Sequence, residues 1–377
     1  MIAFRPAWLW TGDALVRAPT LVLDDDGTVG FDARGLPVEE IGGIVLPGLV
    51  NAHTHLELAG TPTPRGQGIV PWVGTLRGGP PPDEGQARLG AALSWTSGTA
   101  LVGDITNTGL SRRALADGPV EGVVFDEVLG IDRLEVPDVP CLTPHAPHST
   151  HPGIVRAAAA RALAASTSGS GGSLGSPEVP RWSIHCDEDP DERAFLLDHS
   201  GRWPGVMRAL GRDLGAFPPT GRTPVAHLHE LGVLSERAVL VHLTLTRGAD
   251  LDTIAETGAR AVLCVRSNQH ITGALPDAAG LIARGVPLAL GTDSLASCPD
   301  LDLLAEAAAA RAAFPEVPPA AWVRAMTLGG AEALAREDHG RVVAGGRAPL
   351  LHVRVPDGAD PLAALLDGTR WRRQWLA

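Results

Sequence analysis

The chain contains no lysine and no tyrosine. All 31 basic residues are therefore arginine. This excludes Schiff-base lysines, Walker-type phosphate lysines and carbamylated-lysine metal bridges, and it removes any tyrosine acid or nucleophile. Cysteine is scarce: Cys141, Cys186, Cys264 and Cys298 are scattered without a CxxC spacing. That usage fits reduced thiols in a cytoplasmic protein rather than a disulfide scaffold. No run of about 18 apolar residues occurs, so no membrane span is expected. Met1 to Trp10 carries one arginine, is interrupted by Pro6 and lacks a signal-peptide pattern. Positive charge is outweighed, 31 basic against 43 acidic residues for a net charge of −12. Such a balance argues against a general nucleic-acid binder, which needs a basic face. It leaves room for a small acidic substrate held by one or two local arginines.

What is present is an ordinary globular composition, 44% hydrophobic and 20% charged over 377 residues. At about 150 residues per domain the length suits two domains, or one large barrel with an appendage. The segment "TLVLDDDGTVGF" reads as a hairpin around an Asp-Gly turn. Short β-branched runs then recur at Thr99–Asp104, Val123–Glu127, Arg181–His185, Ala238–His242, Ala261–Val265 and Pro287–Asp293. Stretches with helical spacing lie between them, at Gly153–Ala165, Asp250–Thr257 and Leu301–Ala313. This alternation predicts an α/β fold with a parallel sheet, a (β/α)8 barrel first and an open doubly wound sheet second. The helical stretch Pro318–Arg336 is followed by strand-like sequence, "GRVVAGGRAPLLHVRV". Those strands are expected to pair with the N-terminal ones in a small β domain of residues 1–47 plus 340–377, leaving 48–339 as the catalytic barrel. The Gly/Ser tract Ser166–Pro177 reads as a surface loop, with a lid as the alternative.

The runs end in chemistry: His53 and His55, Asp104, Glu127, His145, His185, His242 and Asp293. Barrel active sites collect at the C-terminal ends of strands. In an extended strand, residues i and i+2 share a face, so His53 and His55 can reach one ion. His185, His242 and Asp293 end other runs, and three imidazoles with a carboxylate suit Zn2+ or Fe2+ with a position left for water. Without lysine a lysine-bridged two-metal centre is impossible, so a single divalent ion is favoured. Glu188 follows His185 by three residues, where a carboxylate can shuttle a proton beside a metal-activated water.

"LPGLVNAHTHLEL", "HAPHS", "HCDEDPDE", "VHLTLTRGADLDTIAETGARAVLCVRSN" and "GTDSLAS" stand in the order of the amidohydrolase superfamily and resemble its deaminase and chlorohydrolase branch. The resemblance implies a distorted (β/α)8 TIM barrel with a small β-sandwich built from both termini. It implies metal ligands at His53, His55, His185 and Asp293. It gives His242 the orienting of the attacking oxygen and Glu188 the protonation of a ring nitrogen, while Asp293 doubles as the base. The motifs "NAHTHLEL", "FDEVLG", "HAPHS" and "GTDSLAS" look most like the aminodeoxyfutalosine deaminase group of the menaquinone pathway. Such enzymes deaminate an adenine ring whose ribose carries a carboxyphenyl ketone. On that reading Glu57 and His145 lie on the rim, Trp72 stacks on an aromatic ring, and Arg77 or Arg266 pairs with the carboxylate. Ser267 and Asn268 are expected to cap a turn and position neighbouring groups. Val265, His148, Cys186 and Asp187 depart from the group's usual residues, all expected near the substrate. The competing readings are a hydrolase that opens a cyclic amidine or lactam or displaces chloride from a triazine, and a metal-binding protein without turnover. The expected partner is a small-molecule substrate, with neither nucleic acid nor membrane; a homodimer is compatible with the sequence.

Overall fold

A computed structural model describes residues 1–60, 65–164, 181–347, 349–356 and 360–376. The Ser166–Pro177 tract lies outside the described residues. Eight strands carry the central architecture: β1 (Leu49–Thr54), β2 (Thr99–Thr106), β3 (Glu121–Val128), β4 (Leu142–Pro144), β5 (Trp182–Cys186), β6 (Ala238–His242), β7 (Arg260–Leu263) and β8 (Leu288–Leu290). They form two parallel four-stranded sheets, ordered β4-β3-β2-β1 and β5-β6-β7-β8. The sheets meet at both edges. His185 N–H donates to the His145 carbonyl at 2.9 Å on one side, and Asp293 N–H donates to the His53 carbonyl at 3.1 Å on the other. At the second edge the Asn51 side chain accepts from Thr292 N–H at 3.1 Å and donates to Thr292 Oγ1 at 2.7 Å.

Nearly continuous apolar runs form these strands because both faces are covered. Val239, Val241, Val262, Cys264 and Ala289 gather on the inner face with Ala52. Their neighbours Leu240, Ala261, Leu263, Leu288 and Leu290 face outward into the large cluster shared with the surrounding helices. Helices Pro152–Ala164, Ala249–Thr257 and Leu303–Ala313 fall close to the stretches anticipated from spacing. The stretch 318–336 is two helices rather than one, Pro319–Ala325 and Leu328–Leu334. Thr327 breaks it, with φ −126° and ψ −100°, and its hydroxyl accepts from Trp10 Nε1 at 3.1 Å. The second helix lies with its backbone against the strands. A Cβ on Gly330 would stand 2.5 Å from the Val50 carbonyl oxygen, so no side chain fits there. Gly330→Ala is expected to cost about 1–3 kcal/mol of stability by overpacking, read from chemical denaturation; an unchanged midpoint would contradict the close approach.

The two ends of the chain meet. Ile44–Pro47 pairs antiparallel with Leu350–Val353 in a five-stranded sheet that also holds Trp8–Trp10, Leu15–Arg17 and Arg373–Leu376. A four-stranded sheet of Ile2–Arg5, Leu21–Leu23, Val29–Gly30 and Val38–Glu40 shares with it the core of Phe4, Leu9, Leu21, Val45 and Leu350. The expected hairpin is present, its turn closed by Gly27 N–H to the Asp24 carbonyl at 2.9 Å with Gly27 at φ +80°. Among the described residues of the strand-like segment after residue 340, Leu350–Val353 is the strand. Residues 341–347 are irregular and are tied by backbone bonds, Val342 N–H to Thr11 and a reciprocal pair in which Gly345 N–H donates to Val29 and Val29 N–H donates to Gly346.

Candidate metal centre and active site

The histidines at the strand ends converge. The His53 ring lies 5.0 Å from that of His55, 4.9 Å from His185 and 5.7 Å from His242, centroid to centroid. One nitrogen from each of His53, His55 and His185 falls within 4.8 Å of the others. Asp293 Oδ1 approaches His55 Nε2 at 3.6 Å and His53 Nε2 at 3.8 Å. The other carboxylate oxygen, Oδ2, accepts from Ser267 Oγ at 2.6 Å and Ser297 Oγ at 2.7 Å. Ser297, four residues after Asp293, was not singled out from sequence; its only signal is its place inside "GTDSLAS".

This donor set fits a divalent cation. Both ring nitrogens of the wholly buried His53 lack a hydrogen-bond partner. An unsatisfied buried polar group costs roughly 1–3 kcal/mol, which a metal bond removes. His55 Nε2 and His185 Nε2 face each other at 3.3 Å, a spacing that calls for a proton or a cation between them. His185 Nδ1 donates to the His145 carbonyl at 2.8 Å, which fixes the tautomer and leaves the Nε2 lone pair available. Burial holds His53 and His185 well below the usual imidazole range, so both are neutral donors. Burial opposes the Asp293 carboxylate, yet His55, His242 and the two serines keep it below its ordinary range. Ser297→Ala is expected to weaken metal binding by about 10- to 100-fold in competition with a chelator; unchanged affinity would show that the hydroxyl does not orient the carboxylate.

Strained backbone marks the same places. His242 has φ +74°, Asp293 φ +58° and Asp187 φ +58°. Strict alternation would point His242 outward, since Val239 and Val241 face in. The positive φ turns its ring into the site, 5.5 Å from the His185 ring. Such strain persists where surrounding structure holds it, typically at functional sites. His242 Nδ1 donates to Asn268 Oδ1 at 2.9 Å, which directs Nε2 to Glu188 Oε1 at 3.7 Å. Burial pushes the Glu188 carboxyl well above its usual range, with Asp293, Glu192 and Asp189 adding to the rise. Glu192, not recognised from sequence, accepts from Glu188 N–H at 2.9 Å and fixes its backbone.

The remaining candidates divide. Asp187 is turned away from the pocket, clamped by Arg193 through two contacts of 2.6 Å and by Thr246 Oγ1 at 2.7 Å. This corrects its expected place beside the substrate: it holds the left-handed turn that projects Glu188. His148, another departure, is buried against the Trp203 ring at 4.6 Å. Glu57 is also a brace, because its carboxylate accepts from Thr106 Oγ1 at 2.8 Å, Asn107 N–H at 2.8 Å and Thr108 Oγ1 at 2.6 Å. Arg266 is committed to Asp300 at 2.8 Å and to the Asp302 carbonyl at 3.3 Å, so it is not available for a substrate carboxylate. The His145 ring lies 4.9 Å from that of His185, and its Nδ1 is 2.6 Å from Ser149 Oγ. Trp72 is half-buried on the helix Ile69–Gly78 and donates through Nε1 to the Ala296 carbonyl at 3.3 Å, beside the Asp293 loop. Arg77, near the end of that helix, is exposed.

The sequence profile described as "Amidohydrolase family" matches residues 184–369. The aminodeoxyfutalosine deaminase of Deinococcus radiodurans is 31% identical over 343 residues, 83% of this chain and 76% of that one. Among solved structures, the Helicobacter pylori aminofutalosine deaminase in complex with methylthio-coformycin superposes with a TM-score of 0.79 at 19% identity, covering 99% of this chain and 97% of that one. The zinc-bound atrazine chlorohydrolase of Arthrobacter aurescens gives 0.73 at 20% identity, covering 97% and 91%. The chain belongs to the amidohydrolase family and is a hydrolase acting on carbon–nitrogen bonds.

Proposed function

We propose that the chain is a metal-dependent deaminase of an adenine-type nucleoside, with aminodeoxyfutalosine of the menaquinone pathway as the first substrate to test. On this reading the two parallel sheets close as one distorted eight-stranded barrel (residues 48–339), and the terminal sheets form a β-sandwich (residues 1–47 and 340–377). His53, His55, His185 and Asp293 hold the ion, Zn2+ in the first instance and Fe2+ as the alternative. The observation that carries the reading is geometric: Asp293 Oδ1 lies 3.6 Å from His55 and 3.8 Å from His53, and Glu188 Oε1 lies 3.7 Å from His242, so two carboxyls share one histidine-lined site, with burial pushing Glu188 up while the neighbouring histidines and serines hold Asp293 down.

His53, His55, His185 and Asp293 would hold the metal, which when bound would lower the pKa of a water to roughly 7. Asp293 Oδ1 would accept a proton from the attacking water as its oxygen bonds to the amine-bearing ring carbon. Glu188 gives its proton to the adjacent ring nitrogen, which gains electron density in the same step. His242 Nε2 meets the added oxygen, and its Nδ1–H to Asn268 fixes the ring for that contact. Asp293 then returns its proton to the departing amine, which leaves as ammonia while the added hydroxyl gives its proton to the Glu188 carboxylate and becomes the product carbonyl, so that both groups regain their starting states. Burial of Glu188 and Asp293 excludes bulk water from both transfers. Trp72 is the proposed stacking surface, Arg77 the proposed partner of a substrate carboxylate, and His145 remains a rim residue.

Support comes from the Deinococcus radiodurans relative, whose name carries the same activity. The chloride-displacing alternative draws on the atrazine chlorohydrolase, whose likeness at 20% identity speaks to fold alone. Product analysis separates the readings. The zinc-loaded protein is offered aminodeoxyfutalosine, adenosine, S-adenosylhomocysteine, guanine and a chlorotriazine. Ammonia release from an adenine nucleoside is the expected result; chloride release alone, or no ammonia from any amine, would overturn it.

A further inference from the structure

At the opposite end of the same strands lies a second charged cavity, of about 440 Å³. Arg181 immediately precedes β5, Arg237 immediately precedes β6 and Arg260 opens β7. The three therefore stand side by side at the N-terminal mouth of adjacent parallel strands. His185 and His242 occupy the other ends, four and five residues on, which is about 13 Å and about 17 Å at roughly 3.3 Å per residue. In a chain of net charge −12, this cavity is lined by five arginines and three glutamates.

The three guanidinium groups are poorly neutralised. Among the described residues, Arg181 donates to backbone carbonyls, those of Glu236 and Glu332. Arg237 has Glu236 at 3.8 Å, and its Nε and Nη1 are buried without a hydrogen-bond partner. Arg260 has Glu332 at 3.8 Å, outside hydrogen-bond reach, and its Nε is likewise unpartnered. Glu332 gives its closer contact, 2.7 Å, to Arg324. The lining residue Arg336 contrasts with them, held by Glu121 at 2.6 Å and Asp338 at 2.7 Å. Burial first, and then the neighbouring Arg260 and Arg237, bring Arg181 down to about 10, a drop that Glu236 and Glu332 only partly offset.

We propose that this mouth is a binding site for a phosphoryl dianion. Planar guanidinium forks suit the oxygens of phosphate, and several converging on one cavity give it a charge that a monoanion would not match. The group arrives either as free phosphate or pyrophosphate, or on a nucleotide; the chemistry recognised is the same.

The test is calorimetric titration of the zinc-loaded protein with inorganic phosphate, pyrophosphate and ADP at constant ionic strength. The parent, Arg237→Gln and the double variant Arg237→Gln/Arg260→Gln are compared. Saturable binding of at least one probe is expected, with affinity lowered tenfold or more in the double variant and basal hydrolytic activity unchanged. Phosphate or pyrophosphate binding points to a free oxyanion, and ADP binding alone to a nucleotide. Melting adds an independent reading. Without anion, Arg237→Gln is expected to melt at or above the parent because it relieves repulsion; with saturating anion the order reverses. If the double variant does not fold, the single variant carries both readings. Absence of saturable binding, titration of the variants identical to the parent, or equal destabilisation by Arg237→Gln with and without anion would overturn the proposal. The last outcome would mark the arginines as structural braces.

Discussion

Asp293→Asn is expected to lower turnover by about 10³-fold or more, because an amide neither carries the ligand charge nor accepts the proton. The fold should survive. The backbone at Asp293 sits at φ +58°, a conformation that asparagine tolerates well. Its N–H bond to His53 and the bond its carbonyl accepts from Thr54 Oγ1 at 2.8 Å belong to the main chain and are retained. Metal affinity should fall together with turnover, since Oδ1 faces both His53 and His55. Elemental analysis after gel filtration and steady-state kinetics check both parts. Near-parental turnover in a metal-replete variant would contradict the assignment of Asp293 as base.

Glu188→Gln separates proton transfer from metal binding. Burial and the acidic groups around it push the Glu188 carboxyl well above its usual range, toward the neutral form that an amide of the same shape mimics. The bond from its backbone N–H to Glu192 is kept. Turnover is expected to fall by about 10²- to 10⁴-fold, the usual worth of a positioned acid, while metal content and melting temperature stay near the parent. The loss should appear in kcat rather than KM, because the proton moves only as the ring nitrogen gains charge. Equal loss of metal would make Glu188 a ligand and assign its role wrongly.

The convergence of the strand-end histidines with Asp293 was legible because their signal is local and repeated. An HxH pair on one strand, two runs that each end in histidine and the "GTDSLAS" motif place their side chains at strand ends, and the parallel sheets bring those ends together. What escaped was set by partners distant in sequence. Nothing near Glu57 announces that Thr106, Asn107 and Thr108 occupy its carboxylate. Nothing near Arg266 announces that Asp300 takes its guanidinium. A charged residue beside a pocket looks the same in sequence whether it meets a substrate or its own chain. Asp187 was misplaced for a related reason: its role is to stabilise a left-handed turn, and the turn is visible only in three dimensions. The break at Thr327 escaped because helical spacing continues through it, while Gly329 and Gly330 allow the second helix to press onto β8 and β1. The unneutralised arginines at the strand starts were equally silent, each an ordinary basic residue before an apolar run.

The most direct test of the account is a metal titration of the chelator-stripped protein, with ammonia release from an adenine nucleoside as readout. The account predicts no turnover without metal and a linear rise that ends at one divalent ion per chain, because the proposed ligands His53, His55, His185 and Asp293 lie close enough together to share one ion. Full turnover by the metal-free protein, or silence on every adenine nucleoside once one equivalent is bound, would contradict it.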